Sequence, residues 1–392
     1  MKTFLFRIFV AIILPIAIGC ESSDNIDQSG IPKISILEEH IRPFDEVVSD
    51  VEFISLKPPE NAPINLACNN SKLIITDKIY YCTMCYQRSA VHVFDLEGNY
   101  INGLTKQGEG PEEYQFIQGI HVGSDVLSLS SGNGQIKQYT LPDFNFENEF
   151  SLGETFFLSS FHPISASSWL ISAEYTGEMD EDGQFPVYMR VDQETGTSTH
   201  LPVKAYPVAA ESGEGQIALF DDQFLLNFGF SDTLFVYDGE KLGPYYILDF
   251  GSKHPTLDVL TAMDEEFGEI IQSQSIAINL GMIDYTEQTI QLKTFGLKKN
   301  PQLDLEDRTT FPFYNVFIGP EQQVVAFPVL GSGLNSQGYA KDGYFYEVLQ
   351  PEDWMDALEN NILGRFGDQL EKYVETIPDP EDPIVIGYKV GF

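Results

Sequence analysis

From residue 51 onward, apolar and polar positions mostly alternate along the chain, and short runs of β-branched and aromatic residues replace the alternation in places. Glycine, asparagine, aspartate and proline separate these runs. Alternation with a period of two puts successive side chains on opposite faces of a strand, and the separating residues are those that favour turns. The pattern therefore predicts an all-β chain of short strands joined by turns.

The strands recur in units of similar length. A strand, a polar turn and a second strand are found in four segments, which begin at Val91, Ile136, Val187 and Leu234. Further strand-like sequence precedes each hairpin, so that a unit holds four strands and recurs about every 40 to 50 residues, which is the spacing of β-propeller blades. Four units fit between residues 71 and 251, and two more fit in the remainder. The repetition predicts a six-bladed β-propeller of four-stranded antiparallel blades.

The two ends of this region are able to close the ring. Residues 51–56 and 383–390 are both strand-like, and we expect them to pair within one blade. Two other segments, residues 256–272 and 352–372, carry apolar residues at intervals of three and four, which predicts short amphipathic helices inserted in the propeller. We expect both helices to cover apolar blade edges, and a lid over the central channel is the alternative.

The N-terminal residues have the pattern of an export signal. Two basic residues precede an apolar run over residues 8–18, which is shorter than the roughly 20 residues of a membrane-spanning helix. The run ends at Gly19-Cys20, and residues 17–20 resemble a lipobox, so that Cys20 would carry lipid after cleavage. An ordinary secretory signal is the alternative. We predict a signal peptide over residues 1–19, a flexible tether over 20–45 and the propeller over 46–392.

The charge balance excludes some partners. The chain has 22 basic and 59 acidic residues and a formal net charge of −37. A nucleic acid is not expected as a partner, because no basic face remains to displace its counterions. Anionic lipid headgroups would also repel the acidic body, so that the acyl chains on Cys20 would hold the protein at the membrane.

Three cysteines remain after Cys20, and at most one pair of them can form a disulfide. Cys82 and Cys85 form a C-x-x-C motif without the second pair that a structural zinc site needs. In an extended strand their Cα atoms would be about 10 Å apart, beyond disulfide reach, so that a bond between them requires a turn. We predict a structural disulfide, either Cys82 to Cys85 or one of them to Cys68.

The glycines of residues 103–110 first suggest a phosphate-binding loop. Glu109 and Gly110 stand where a P-loop has lysine and serine or threonine, so that neither phosphate nor magnesium would be held. We therefore interpret the segment as a connector between blades. The residues of this structural motif are Gly108, Gly110, Pro111, Glu113 and Tyr114.

No catalytic residue, metal site or cofactor site is predicted. Residues 178–183 match part of a calcium loop, but Met189 stands where the bidentate glutamate belongs, which favours a solvated hairpin tip. The six histidines have no metal-ligand spacing, although any two of them could meet at a propeller axis. Serine-hydrolase and zinc-protease motifs are also missing from the sequence.

Four segments carry a resemblance to a known family. They are "VEFISL" at Val51, "VHVFDLEGNYINGLTKQGEGPEEY" at Val91, "SDTLFVYDGEKLGPYYILDFG" at Ser231 and "EDPIVIGYKV" at Glu381. With these segments the chain resembles the six-bladed β-propeller lipoproteins of Gram-negative bacteria, which are relatives of NHL-repeat proteins. The resemblance implies a lipid-anchored protein of the cell envelope, at the outer membrane, that works beside nutrient uptake systems.

Two functions follow as hypotheses. The first is a non-catalytic binding or scaffolding propeller, anchored through Cys20, whose partner is a protein, peptide or glycan. The alternative is a metal-dependent hydrolase, lyase or lactonase with its site on the central channel. Convergent histidine, aspartate or glutamate side chains at one mouth of the channel would favour the enzyme, and an apolar or aromatic face without convergent carboxylates would favour binding.

Overall fold

The computed structural model describes residues 30–68, 70–132, 134–151, 157–174, 181, 184–205, 216–261, 264–304, 310–330 and 336–392. The chain enters the fold through a short strand, β1 (Lys33–Ser35), and a long one, β2 (Val48–Ser55). Between them lie a 3-10 turn at Glu38–His40 and a single helical turn, α1 (Phe44–Val47). Six antiparallel sheets then follow in chain order.

The first three blades use sequential strands. Blade one consists of β3 (Ser71–Ile75), β4 (Ile79–Thr83), β5 (Ala90–Phe94) and β6 (Tyr100–Leu104). Blade two consists of β7 (Ile117–Val122), β8 (Val126–Ser131), β9 (Gln135–Thr140) and β10 (Phe146–Ser151). Blade three consists of β11 (Phe157–Ser165), β12 (Ser168–Glu174), β14 (Tyr188–Asp192) and β15 (Ser198–His200), with β13 (Phe185–Pro186) and β16 (Lys204–Ala205) paired beside it.

The remaining blades complete the ring. Blade four consists of β17 (Gln216–Phe220), β18 (Gln223–Asn227), β19 (Thr233–Tyr237) and β20 (Leu242–Asp249). Blade five consists of β21 (Ile278–Thr286), β22 (Thr289–Phe295), β23 (Phe313–Ile318) and β24 (Val324–Pro328). Blade six consists of β26 (Tyr339–Lys341), β27 (Tyr344–Leu349), β28 (Ile384–Val390) and the early strand β2, while β25 (Ser336–Gln337) pairs in parallel with β3.

Closure of the ring joins the two ends of the chain. β2 pairs antiparallel with β28 in a register that runs from Val48 opposite Val390 to Ser55 opposite Ile384. The predicted pairing of residues 51–56 with 383–390 is therefore confirmed, as is the six-bladed all-β fold. Because β2 is the outermost strand of blade six, the ring cannot open without breaking this ladder.

The antiparallel order gives the propeller two different ends. Tight turns join the first strand of a blade to the second and the third to the fourth, and we call the end where they lie the turn face. The longer connections lie at the opposite end, which we call the loop face. Both helical insertions belong to the loop face, since they follow the last strand of blade four and the second strand of blade six.

Both predicted helical segments contain helices. The first contains α2 (Leu257–Leu260) and α3 (Asp264–Ser273). The second contains α4 (Pro351–Glu359), a 3-10 turn at Gly364–Phe366 and α5 (Gly367–Val374). Gly364 has a positive φ of 54° and begins the 3-10 turn that leads into α5. Trp354 and Leu370 pack on the core between blades five and six, as expected of helices that cover a blade edge. In the part of the chain that the structure describes, no helix combines the length and apolarity needed to cross a membrane.

The folded body begins earlier than predicted. β1 pairs in parallel with β20 at the outer edge of blade four, and Ile34 and Ile36 are buried in the core beside it. Phe44 is also buried, against blades five and six. The predicted tether over residues 20–45 is thus wrong for residues 31–45, because this segment covers an exposed sheet edge that would otherwise have unpaired backbone groups.

Candidate functional site

The first strands of all six blades surround a cavity of about 150 Å³ on the propeller axis. Its lining consists of Lys72 and Ile74 from β3, residues 120–122 from β7, Ser160 and His162 from β11, residues 216–219 from β17, residues 283–285 from β21 and residues 337–340 from blade six. Most of the lining is apolar, and a few polar and ionisable side chains converge on it. We call this space the axial cavity.

Two histidines meet in the axial cavity. His121 on β7 and His162 on β11 have ring centroids 5.3 Å apart. Burial lowers the pKa of His121 to about 4, and burial together with the neighbouring His121 lowers the pKa of His162 well below its usual value. His162 is hydrogen-bonded to the backbone of Ile217, and its Nδ1 has no partner. Both rings are therefore uncharged at neutral pH.

A carboxyl group lies among the lining residues of the opposite blades. Burial raises the pKa of Asp284 on β21 to about 7, although Lys293 and Lys72 favour its charged form. Glu347 raises this pKa further. Asp284 thus changes its charge in the neutral range, while the histidines do not. A perturbed carboxyl in a cavity is a common mark of a functional site.

Gln216 is a buried polar residue of the lining. Its side chain is 7% exposed, its Oε1 accepts a hydrogen bond from the backbone N–H of Ile283 at 3.3 Å, and its Nε2 has no partner. A void of about 10 Å³, roughly one water molecule in size, lies beside it and is also lined by Asp284, Gln291 and Lys293. This void continues the polar side of the axial cavity towards blade five.

A buried hydrogen-bond network holds this side of the cavity in place. The Oε1 of Glu347 accepts hydrogen bonds from Asn315 Nδ2 at 2.8 Å, Tyr388 OH at 3.1 Å and Gln291 Nε2 at 3.3 Å. The four residues lie on β22, β23, β27 and β28 and so join blades five and six. Because the carboxylate has three donors, the network fixes the wall behind Asp284.

Aromatic side chains surround the cavity where it approaches the turn face. Leu219, which lines the cavity, is 57% exposed, and it precedes the turn between β17 and β18. Next to it, Phe220 packs edge-on against Tyr285 and Tyr245, with centroids 4.8 and 5.0 Å apart. The rim at blades four and five is therefore apolar and aromatic, whereas two histidines and the carboxyl of Asp284 converge on the cavity itself.

The described lining combines apolar walls with a few polar and ionisable groups. Among the described residues, no three histidine, cysteine, aspartate or glutamate side chains come close enough to hold a metal ion. Residues 178–180 and 182–183 of the partial calcium loop lie outside the described residues. Lys72 supplies a cation, Asp284 a carboxyl and the two histidines uncharged hydrogen-bonding groups.

The predicted connector motif lies between blades one and two and does not reach the axial cavity. The Glu113 carboxylate accepts a hydrogen bond from the Gly110 N–H at 2.8 Å, and a Cβ on Gly108 would lie 2.0 Å from that carboxylate. Pro111 contributes its carbonyl, which accepts a hydrogen bond from a lysine of blade two. Tyr114 is fully buried and donates to the carbonyls of residues 89 and 104 at 2.8 and 3.0 Å. These contacts fit a structural role.

The disulfide joins Cys68 to Cys85, with Cα atoms 5.9 Å apart. The predicted Cys82–Cys85 pair is wrong, and the alternative with Cys68 is the one that the structure contains. Cys82 lies within β4 with its side chain in the core, whereas Cys85 follows that strand on the loop face, where Cys68 approaches. The lipidation candidate Cys20 and the signal peptide over residues 1–19 lie outside the described residues.

The sequence did not identify the cavity residues as a group. His121 and His162 were noted as histidines that could meet at an axis, and they do meet there. Lys72, Gln216 and Asp284 carried no motif. The signal that they share is weak: each is a polar residue within the apolar first strand of a blade.

Comparison with known proteins supports the fold. A "Putative exported protein" from Bacteroides fragilis NCTC 9343 is 16% identical in sequence, with a TM-score of 0.68 over 92% of this chain and 99% of that protein. A member of the duf4221 family from Bacteroides vulgatus ATCC 8482 is 13% identical, with a TM-score of 0.57 over 88% of this chain and 98% of that one. A search of curated proteins gave no match. The family model described as "Domain of unknown function (DUF4934)" matches residues 38–389, and the chain therefore belongs to that family.

Proposed function

We propose that this protein is an exported, lipid-anchored propeller of the cell envelope that binds a small molecule in its axial cavity without catalysis. The observation that carries the proposal is the axial cavity itself, which all six blades line and in which polar groups converge within apolar walls. Small-molecule sites in proteins typically combine such apolar walls with a few polar groups that orient the ligand. The aromatic rim at the turn face gives the ligand an entrance.

The described lining supports binding more strongly than metal-dependent catalysis. A hydrolytic metal site uses about three protein ligands around the ion. The two histidines of the cavity have no third metal-binding side chain beside them among the residues that the structure describes. With both rings uncharged, His121 and His162 are suited to hydrogen bonding with a ligand.

The cellular location rests on the N-terminal sequence. Cys20 follows a short apolar run, and the similar Bacteroides fragilis protein carries the description "exported". Together with the resemblance to NHL-like envelope lipoproteins, these observations support a lipid anchor at the outer membrane and a role beside nutrient uptake. Replacing Cys20 by alanine should release the protein from the membrane fraction. Unchanged fractionation of Cys20→Ala would remove the anchor from the proposal.

Ligand binding is tested with a variant that closes the cavity. Leu219 is more than half exposed at the rim, so that Leu219→Trp should fill the entrance while the protein still folds. Leu96→Trp is the matched control, since Leu96 is 45% exposed in a turn of blade one. A library of small polar molecules is screened by thermal shift. We expect compounds that raise Tm of the wild type and of Leu96→Trp but not of Leu219→Trp. Equal shifts in all three proteins, or no shift with any compound at 10 mM or so, would contradict the proposal.

A further inference from the structure

We propose, on the basis of the function proposed above, that the axial cavity selects an uncharged, hydroxyl-bearing molecule of about six to eight non-hydrogen atoms, such as a short polyol. Three properties of the cavity lead to this ligand class. They are the balance of its charges, the kind of hydrogen bonds that it offers and its volume.

The charges of the cavity compensate one another without a ligand when Asp284 is ionised. Lys72 and the nearby Lys293 are cations, and both interact with the carboxyl of Asp284. Glu347 lies close behind and adds a second carboxyl to the same region. His121 and His162 add no charge. A ligand with a net charge would bring an unpaired ion into a poorly hydrated space, which is costly unless a counter-charge awaits it.

The hydrogen-bonding groups include both donors and acceptors. Lys72 only donates hydrogen bonds, whereas the Asp284 carboxyl accepts them when ionised and also donates one when protonated. An uncharged imidazole such as that of His121 donates at one nitrogen and accepts at the other. Gln216 adds an amide whose Nε2 finds no partner in the described structure, and which a small change of its side chain would turn towards a ligand. A hydroxyl group both donates and accepts, so that neighbouring hydroxyls on a short carbon chain satisfy such a mixture.

The volume and walls limit the carbon skeleton. A cavity of about 150 Å³ holds a molecule near the size of benzene. Ile120, Ile217 and Ile283 provide apolar walls for the CH groups of the ligand. A polyol with about four carbons therefore fits in size, and it presents an apolar edge as well as hydroxyl groups.

The test compares three four-carbon probes that differ in charge. Erythritol is uncharged, threonate is an anion and threoninol is a cation at pH 7. Binding to the full folded protein is measured by saturation-transfer NMR and by calorimetric titration. We expect erythritol to bind at least tenfold more tightly than either charged probe. We also expect Leu219→Trp to weaken erythritol binding at least tenfold and Leu96→Trp to leave it unchanged.

The outcomes separate this inference from the proposed function. If threonate or threoninol binds as tightly as erythritol and Leu219→Trp removes that binding, the cavity is a binding site but the ligand class is wrong. If none of the three probes binds, the ligand class is wrong, and the library screen decides the function. Erythritol binding that survives in Leu219→Trp overturns the inference. Ala340→Phe, at another lining position, serves as a second closing variant should Leu219→Trp fail to fold.

Discussion

Replacing Asp284 by asparagine should stabilise the protein, and the gain should depend on pH. Asparagine has nearly the shape of a protonated aspartate and cannot ionise. The carboxyl of Asp284 has a pKa of about 7 in the folded protein, compared with the ordinary value of 3.8 that we take for the unfolded chain. Between these two values the folded protein keeps a proton that the unfolded chain has lost. The contribution of Asp284 to stability therefore decreases as pH rises from about 4 to about 7.

The size of the effect follows from the same two values. A difference of about three pKa units corresponds to about 4 kcal/mol in the free energy of unfolding. Because a folded protein relaxes around a buried charge and so reduces its cost, we expect about half of this, or about 2 kcal/mol. Asp284→Asn should match the wild type near pH 4 and exceed its stability by about 2 kcal/mol above pH 7. The buried histidines titrate in both proteins, so that their contributions cancel in the difference.

The measurement is urea unfolding of both proteins at several pH values between 4.5 and 8.5, with intrinsic fluorescence as the readout. Asp222→Asn is the control, since Asp222 is exposed in the turn that follows β17 and its replacement should change stability by less than about 0.5 kcal/mol. A stability difference for Asp284→Asn that is the same at all pH values would refute the reasoning. So would an Asp284→Asn variant that is less stable than the wild type at pH 8.

Three further variants test the fold. Replacing Cys68 and Cys85 together by serine should lower the free energy of unfolding by about 3 kcal/mol, since their bond closes a loop with a sequence separation of 17. Denaturation with and without reductant measures this difference. Gly98→Ala should lower the free energy of unfolding by more than about 2 kcal/mol, because φ of Gly98 is +80° and the new Cβ would lie 1.9 Å from a backbone oxygen of β2. The control is Gly243→Ala, whose new Cβ meets nothing within 4 Å and which should lower it by less than about 1 kcal/mol. Tyr114→Phe should cost about 1 to 2 kcal/mol in the same assay, since two buried carbonyls lose their donor; a change within error would mean that the connector does not depend on this hydroxyl.

The fold was predictable because its information is local. Blades one to five each take their four strands from one continuous stretch of chain, so that alternation and turn residues within that stretch specify a whole sheet. The hairpin at Val91 shows this directly, since β5 and β6 and the turn between them lie where the pattern placed them. Ring closure was also predictable, because only two unpaired strand-like segments remained at the ends of the chain.

The errors concern contacts between segments that lie far apart in sequence. Ile34 and Ile36 alternate with polar residues in a short segment of the polar N-terminal region. This segment is ordered because it pairs with the edge of blade four, which lies far away in sequence. The error about the disulfide has the same cause. Every residue of β4 is buried, so that its pattern does not tell which way Cys82 points, and the approach of Cys68 depends on the path of the connection into blade one.

The axial cavity was the least predictable feature, because each blade contributes only two to four residues to it. Lys72 and Asp284 are separated by more than half of the chain, and neither has a neighbour in sequence that marks its role. Closure of the ring brings them together, and the low hydration of the axis then changes their chemistry. In a propeller, a polar residue inside the apolar first strand of a blade is therefore a better indication of a site than any local motif. Lys72, His121, His162, Gln216 and Asp284 fit that description, and all five line the cavity.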